Sequence, residues 1–255
     1  MFEKFSKEYI EFWEYEYLKN IHHSLILDKE RMMDGFSTKE DIRNDWEEFL
    51  GEEISDFATG SERIFYWLFS QFGQPNSSPI GSDLFFETYN AFVHIDIKTV
   101  TTDNIGDING SIFVGNNQNS YEGNIHVRGN NPPRSYKGNL PTIYTKESGE
   151  RKICLTYFIC ILYSTDGKIE FITLMCMPNG ELKDVYGDKV LRAGKNPGKI
   201  RFNFSKTGKF ELLEGEPSRV TFVLVNPEME EEYKNRAKKI LQFYKAEETI
   251  NEKIE

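Results

Sequence analysis

Apolar residues near both ends of the chain recur at spacings of three and four, the period of an amphipathic helix. The clearest stripe lies within residues 3–33 and consists of Phe5, Tyr9, Phe12, Trp13, Tyr17 and Ile21. The same reasoning predicts helices over residues 37–51, 60–72 and 228–250. The chain is therefore expected to be mainly helical over residues 1–72 and to end in a helix.

The middle of the chain, residues 80–225, has the short alternations and apolar runs that are typical of strands. Residues 152–163 are long and apolar enough for a strand that is buried on both faces, and Ile169–Met177 follows after a turn. Residues 82–100 predict two more strands, joined by a two-residue turn. These elements predict one α/β domain over residues 1–255, with a central mixed β-sheet flanked by helices.

The predicted hairpin brings charged residues together. With Asn90 in the left-handed backbone that a two-residue turn favours, Thr88 faces Ala91, and Asp83 then faces Asp96. Directly opposed residues point to the same side of a sheet and lie about 5 Å apart. The register therefore predicts two neighbouring carboxylates.

Lys98 joins these two acids because alternate residues of a strand share a face, whereas Ile95 and Ile97 point the other way into a core. Two carboxylates this close repel each other, and a hard divalent cation bound by their oxygens removes the repulsion. A lysine beside such an ion can orient or deprotonate a water that the metal acidifies. The set predicts metal-assisted hydrolysis of a phosphodiester; the plain alternative is a solvated strand face with an ordinary ion pair.

The pattern of Asp83, twelve intervening residues and then Asp96-Ile97-Lys98 resembles the PD-(D/E)xK motif of nucleases, best known from type II restriction endonucleases. Two positions depart from that motif. Ser82 stands where the motif has proline, and Asp96 replaces the commoner glutamate. The resemblance implies a restriction-endonuclease-like fold and a Mg²⁺-dependent enzyme that cuts double-stranded DNA at a short specific sequence.

The resemblance also implies roles for individual residues. Asp83 and Asp96 would hold Mg²⁺ with the main-chain oxygen of Ile97, and Lys98 would position the attacking water. In many such nucleases a helix just before the hairpin contributes a further acid, and Glu62 is the candidate here. An acid in the first turn of a helix is also favoured by the helix dipole alone, so both interpretations of Glu62 stay open.

The net charge of −10 argues at first against a polyanionic partner, but the cations are unevenly distributed. Residues 185–209 hold seven lysines and arginines against one acid, and residues 104–131 are rich in asparagine and glutamine, which can pair with base edges. Solvated loops and turn-forming amides are the alternative. The residues predicted to contact DNA are Gln118, Asn119, Arg128, Arg134, Arg192, Lys195, Lys199 and Arg201.

The expected partners follow from this function. Cutting both strands of a symmetric site is most simply done by a homodimer, and a cognate DNA methyltransferase is expected in the same system. No apolar run reaches the roughly 18 residues that span a bilayer, and the three cysteines lie in apolar runs as reduced thiols, so a cytoplasmic protein is expected. The alternatives are a nuclease of DNA repair or recombination, or a non-catalytic DNA-binding module.

Overall fold

The computed structural model describes residues 2–37, 57–69, 82–125, 132–194 and 199–251. Apart from Ser37, the predicted helix over residues 37–51 lies outside these ranges. Residues 29–37 are helical. The labelled helices are α1 (Lys7–Leu27), α2 (Phe57–Phe69), α3 (Lys183–Tyr186), α4 (Glu231–Arg236) and α5 (Lys238–Asn251). Helix α1 begins where the hydroxyl of Ser6 accepts a hydrogen bond from the Tyr9 amide, 3.2 Å away.

Eleven strands are found in the described residues. They are β1 (Leu84–Glu87), β2 (Ala91–Thr101), β3 (Ile112–Val114), β4 (Glu122–Ile125), β5 (Arg134–Lys137), β6 (Ile143–Thr145), β7 (Arg151–Tyr163), β8 (Ile169–Met177), β9 (Leu191–Ala193), β10 (Ile200–Phe202) and β11 (Val220–Val225). The main sheet has the order β1-β2-β7-β8-β11, with β6 pairing to the start of β7. Strands β2 and β7 are parallel and the other pairs are antiparallel, so the sheet is mixed, as predicted.

The β1–β2 hairpin has the predicted register, since Leu84 pairs with Ile95 and Glu87 with Phe92. Its turn is closed differently from the prediction. The Thr88 amide donates to the Ala91 carbonyl at 2.9 Å, and the Ala91 amide donates to the Thr88 hydroxyl at 3.0 Å. Asn90 does not take a positive φ, so the predicted left-handed backbone was wrong.

Each face of the main sheet is covered by a different layer. On one face lies α1, where the Tyr157 hydroxyl donates to the Glu14 carbonyl at 2.9 Å. On the other face lies a three-stranded sheet, β3-β10-β9, whose Phe202 packs against Phe158 of β7 with ring centroids 6.5 Å apart. Asp96 pairs with Phe158 across the parallel β2–β7 ladder, so its side chain shares the face that carries the small sheet.

The core follows the apolar runs seen in the sequence. Strand β8 is buried along its whole length, and β7 is buried from Lys152 to Leu162. Cys154, Cys160 and Cys176 are free and buried there. The terminal helical segment departs from the prediction because it divides near Ala237 into α4 and α5. No helix in the described ranges is both long and apolar enough to cross a membrane.

Candidate active site

The hairpin brings Asp83, Asp96 and Lys98 together, as its register predicts. The Lys98 ammonium contacts Asp96 Oδ2 directly. Asp83, just before β1, accepts a hydrogen bond through Oδ2 from the Ile97 amide, 2.6 Å away. Both carboxylates therefore contact groups of β2: Asp83 contacts the main-chain amide of Ile97, and Asp96 contacts the side chain of Lys98.

Asp96 is buried and not part of a solvated strand face, since only 3% of the residue is accessible to solvent. The pKa of its carboxyl is raised to about 6, chiefly by burial; the Lys98 ammonium opposes the shift, and the negative charges of Asp83 and Glu62 add to it. Glu62 is therefore within electrostatic reach of Asp96, although its own side chain is exposed. The acids create a local negative potential that one lysine does not neutralise.

Gln118 completes the contacts around Asp96 and Lys98. Its Nε2 donates to Asp96 Oδ1 at 2.5 Å, and its Oε1 accepts from Lys98 Nζ at 3.2 Å. The amide of Gly115 donates to the same Oε1 at 2.7 Å. The amide-rich sequence predicts that Gln118 contacts DNA and does not indicate these contacts with Asp96 and Lys98.

The acid pair fits a hard divalent cation better than a structural zinc ion. Asp96 Oδ2 is buried and, among the described residues, contacts the Lys98 ammonium without accepting a regular hydrogen bond. Within the same part of the chain, no three His, Cys, Asp or Glu side chains are grouped to hold a metal. Mg²⁺ is commonly held by one or two carboxylates and several waters, so two acids and a buried carboxylate oxygen suit it.

Two of the residues predicted to contact DNA have their polar groups occupied within the protein. Asn119 is 1% exposed, and its Nδ2 donates to the Gly115 carbonyl at 3.0 Å and to the Tyr136 hydroxyl at 2.7 Å. The Arg201 guanidinium is bonded to Ser111 and Asp107. Both side chains point inward from short segments, so a contact with DNA would require them to give up these partners.

Three other predicted DNA contacts lie at the surface of the small sheets. Lys199 and Arg192 are exposed, and Arg134 is half-buried on β5. The Lys199 ammonium lies 4.9 Å from the centroid of the Phe113 ring, and the Lys98 ammonium lies 5.6 Å from the same centroid. The Phe113 ring is thus close to both the active-site lysine and a surface lysine, a link that the sequence did not indicate. Arg128 and Lys195 are outside the described residues.

Comparison with known proteins gives the family. Residues 7–167 match the N-terminal domain of the type II restriction enzyme MwoI, and residues 169–225 match the central domain of the same enzyme. The chain belongs to the MwoI family of type II restriction enzymes. This confirms the resemblance to restriction endonucleases, and membership in the family identifies the chain as a DNA-cleaving endonuclease.

Solved structures of two restriction endonucleases share the fold of this MwoI-family chain. The first is BglI bound to its DNA recognition sequence, 17% identical, with a TM-score of 0.51, covering 86% of this chain and 98% of BglI. The second is tetrameric SfiI bound to cognate DNA, 13% identical, with a TM-score of 0.63, covering 89% of this chain and 88% of SfiI. The predicted fold class is therefore confirmed. No curated protein matches the chain.

Proposed function

We propose that the chain is a site-specific endonuclease that hydrolyses phosphodiester bonds of double-stranded DNA with the help of Mg²⁺. The observation that carries this proposal is the juxtaposition of Asp83, Asp96 and Lys98 on one hairpin of a restriction-enzyme fold. Two neighbouring acids, one of them in contact with a lysine, supply what metal-assisted hydrolysis requires: oxygen ligands and a cation beside the reacting phosphate.

Asp83 and Asp96 are the proposed metal ligands, together with the main-chain oxygen of Ile97. Bound Mg²⁺ would act as a Lewis acid on the phosphate and lower the pKa of its coordinated water. The hydrogen bond from the Ile97 amide fixes Asp83 in position before any ligand arrives. A preset carboxylate loses less conformational freedom on binding, which favours a defined geometry at the scissile phosphate.

Lys98 is proposed to orient the attacking water and to offset charge on the scissile phosphate. Its ammonium is held by Asp96 and Gln118, and the aromatic rings of Phe113 and Phe158 lie 5.6 and 5.8 Å away. These contacts leave the long side chain few alternative positions. Glu62 is the proposed further acid of the site, supported by the effect of its charge on Asp96.

DNA contacts outside the reacting centre are proposed for surface cations. Lys199, Arg192 and Arg134 are accessible for contacts with phosphates, and Arg128 and Lys195 remain candidates from the sequence. Contacts of this kind hold the duplex in register and make affinity depend on salt. A homodimer acting on a symmetric site and a companion methyltransferase complete the proposal.

The test is cleavage of DNA of known sequence by the purified chain. Discrete fragments with uniform ends should form with Mg²⁺ and none should form with EDTA. A repair or recombination nuclease would instead prefer branched or damaged DNA, and a binding module would retard DNA without cutting it. Discrete fragments support the proposal; degradation without sequence preference, or cutting that continues in EDTA, contradicts it.

A further inference from the structure

The carboxamide of Gln118 bridges the two groups on which the proposed chemistry depends. Its nitrogen donates to Asp96 Oδ1 at 2.5 Å while its oxygen accepts from Lys98 Nζ at 3.2 Å. Asp96 thus has one oxygen bonded to an amide and the other in contact with the ammonium. The neutral carboxamide therefore orients the Asp96 carboxylate and the Lys98 ammonium together without adding charge to the site.

The orientation of this carboxamide is determined by its neighbours. Its oxygen faces two donors, the Gly115 amide at 2.7 Å and the Lys98 ammonium. Reversing the group would turn its NH₂ toward those donors and its oxygen toward the Asp96 carboxylate. The polarity of the surroundings therefore fixes a single arrangement.

The turn that carries Gln118 is itself anchored on two sides. Toward the main sheet, the hydroxyl of Thr156 on β7 donates to the Gln118 carbonyl at 3.0 Å. Toward β5 and the residues after it, the main-chain amide of Asn139 donates to the Asn116 carbonyl at 2.7 Å, and Asn119 donates to the Tyr136 hydroxyl. An anchored turn can hold a side chain in place more firmly than a free loop.

We propose that Gln118 is a positioning residue, which sets the Lys98 ammonium and the Asp96 carboxylate in the geometry needed for DNA cleavage. The proposal rests on the proposed function of the site and replaces base reading as the role of this amide. Its two polar atoms are directed into the site by Asp96, Lys98 and Gly115, and a base edge would have to displace those partners.

Gln118→Met separates positioning from base reading because methionine has a similar length but makes none of the three hydrogen bonds of the carboxamide. Loss of a positioning partner in a metal site typically costs about 10- to 100-fold in activity, so single-turnover cleavage at saturating enzyme should slow by that amount. Affinity for the same duplex in EDTA should not change. Weaker binding with an unchanged rate at saturation would indicate base reading and overturn the proposal, as would an unchanged rate with unchanged binding.

Asn117→Ala is the matched control in the same turn. Asn117 is exposed, and its Oδ1 accepts from Asn139 Nδ2 at 2.6 Å, so the change removes one hydrogen bond of the turn without touching Asp96 or Lys98. Cleavage at the rate of the unmodified chain supports the proposal. A loss as large as that of Gln118→Met would assign the effect to the turn as a whole and overturn it.

A second measurement does not depend on cleavage. Brief acetylation of the full chain, read by mass spectrometry, should modify Lys98 several-fold faster in Gln118→Met, while the exposed Lys199 is unaffected. Equal labelling of Lys98 in both proteins would overturn the positioning role of Gln118, whether or not the unmodified chain cuts DNA. Absence of cleavage by the unmodified chain would count against the proposed function and not against this role. Should Gln118→Met not fold, Gln118→Asn, one methylene too short to bridge both groups, should show the same faster labelling.

Discussion

The carboxylate of Asp83 accepts a hydrogen bond from the amide of Ile97, 2.6 Å away, so the first acid of the site is tied to the backbone beside the second. This contact follows from the register in which Leu84 pairs with Ile95, which sets Asp83 opposite Asp96. The site is therefore assembled by the hairpin itself. A substitution that removes the charge of Asp83 but keeps its shape should therefore reduce cleavage without affecting folding.

Asp83→Asn is expected to preserve folding because the amide oxygen can still accept from Ile97. Loss of one metal-ligand charge removes several kcal/mol of transition-state stabilisation, so cleavage should fall by about 10²- to 10³-fold. Single-turnover cleavage and duplex binding in EDTA measure the two effects. Asp184→Asn, at an exposed aspartate paired with Lys7, should cleave normally; full activity of Asp83→Asn would remove Asp83 from the site.

Binding of the metal should depend on pH through Asp96, whose pKa burial raises to about 6. A protonated carboxyl cannot serve as a ligand in place of the carboxylate, so affinity for Mg²⁺ should be steady above about pH 7 and weaken progressively below it. Calorimetric titration between pH 5 and 8 measures this. Asp184→Asn should keep the same dependence, and an affinity that rises as the pH falls would contradict the assignment.

The raised pKa of Asp96 also affects the stability of the metal-free protein. The folded state holds a proton on this carboxyl at pH values where the unfolded chain has released it. The free energy of unfolding should therefore decrease between about pH 4 and pH 6 and change little above that range. In Asp96→Asn this contribution should vanish, as urea denaturation across the range would reveal; an identical slope in both proteins would exclude it.

Stability depends strongly on a buried ion cluster between α1 and β11. Arg219 is fully buried and donates to Glu11 at 3.0 Å and to Glu14 at 2.7 Å. Arg219→Met would leave two buried carboxylates without their cation, and breaking such a cluster costs about 3–5 kcal/mol. Lys7→Met, at an exposed ion pair with Asp184, should cost about 1 kcal/mol or less. Urea denaturation compares the two; equal losses would contradict the argument.

Contacts with phosphates should appear in the salt dependence of binding. Lys199→Ala is expected to weaken duplex binding about equally for all sequences and to lower the slope of log affinity against log salt by about 1. Lys206→Ala is a control from the same lysine-rich part of the chain, at an exposed residue near Phe243. If both variants bind as the unmodified chain does, DNA does not reach Lys199.

The register of the hairpin that carries Asp83 and Asp96 could be predicted from the sequence because it depends on only two physical rules. A two-residue turn sets the register, and the period of two then places Asp83, Asp96 and Lys98 on one face. The turn backbone at Asn90 was not predictable in the same way, because the Thr88 hydroxyl closes the turn by accepting from Ala91. That alternative depends on a side-chain contact and not on backbone preference.

The surface residues were harder to assign. Arg201 belongs to a cationic segment and Asn119 to an amide-rich one, yet both residues are buried and their polar groups form hydrogen bonds within the protein. Which side of a three-residue strand or a short turn faces inward depends on its partners. β10 pairs with β9, which closely precedes it, and with β3, which is far from it in the chain. Gln118 belongs to the same amide-rich segment, and its bonds to Asp96 and Lys98 could not be predicted because they depend on how its turn packs against β2.

Asp83 and Asp96 together are proposed to bind the metal that cleavage requires. The most direct test is anomalous diffraction from crystals of the chain grown with duplex DNA and Mn²⁺ in place of Mg²⁺. We expect one or more anomalous peaks between these two carboxylates, close to a phosphate and to Lys98. A well-ordered complex whose peaks all lie elsewhere, with Asp83 and Asp96 contacting no metal, would contradict it.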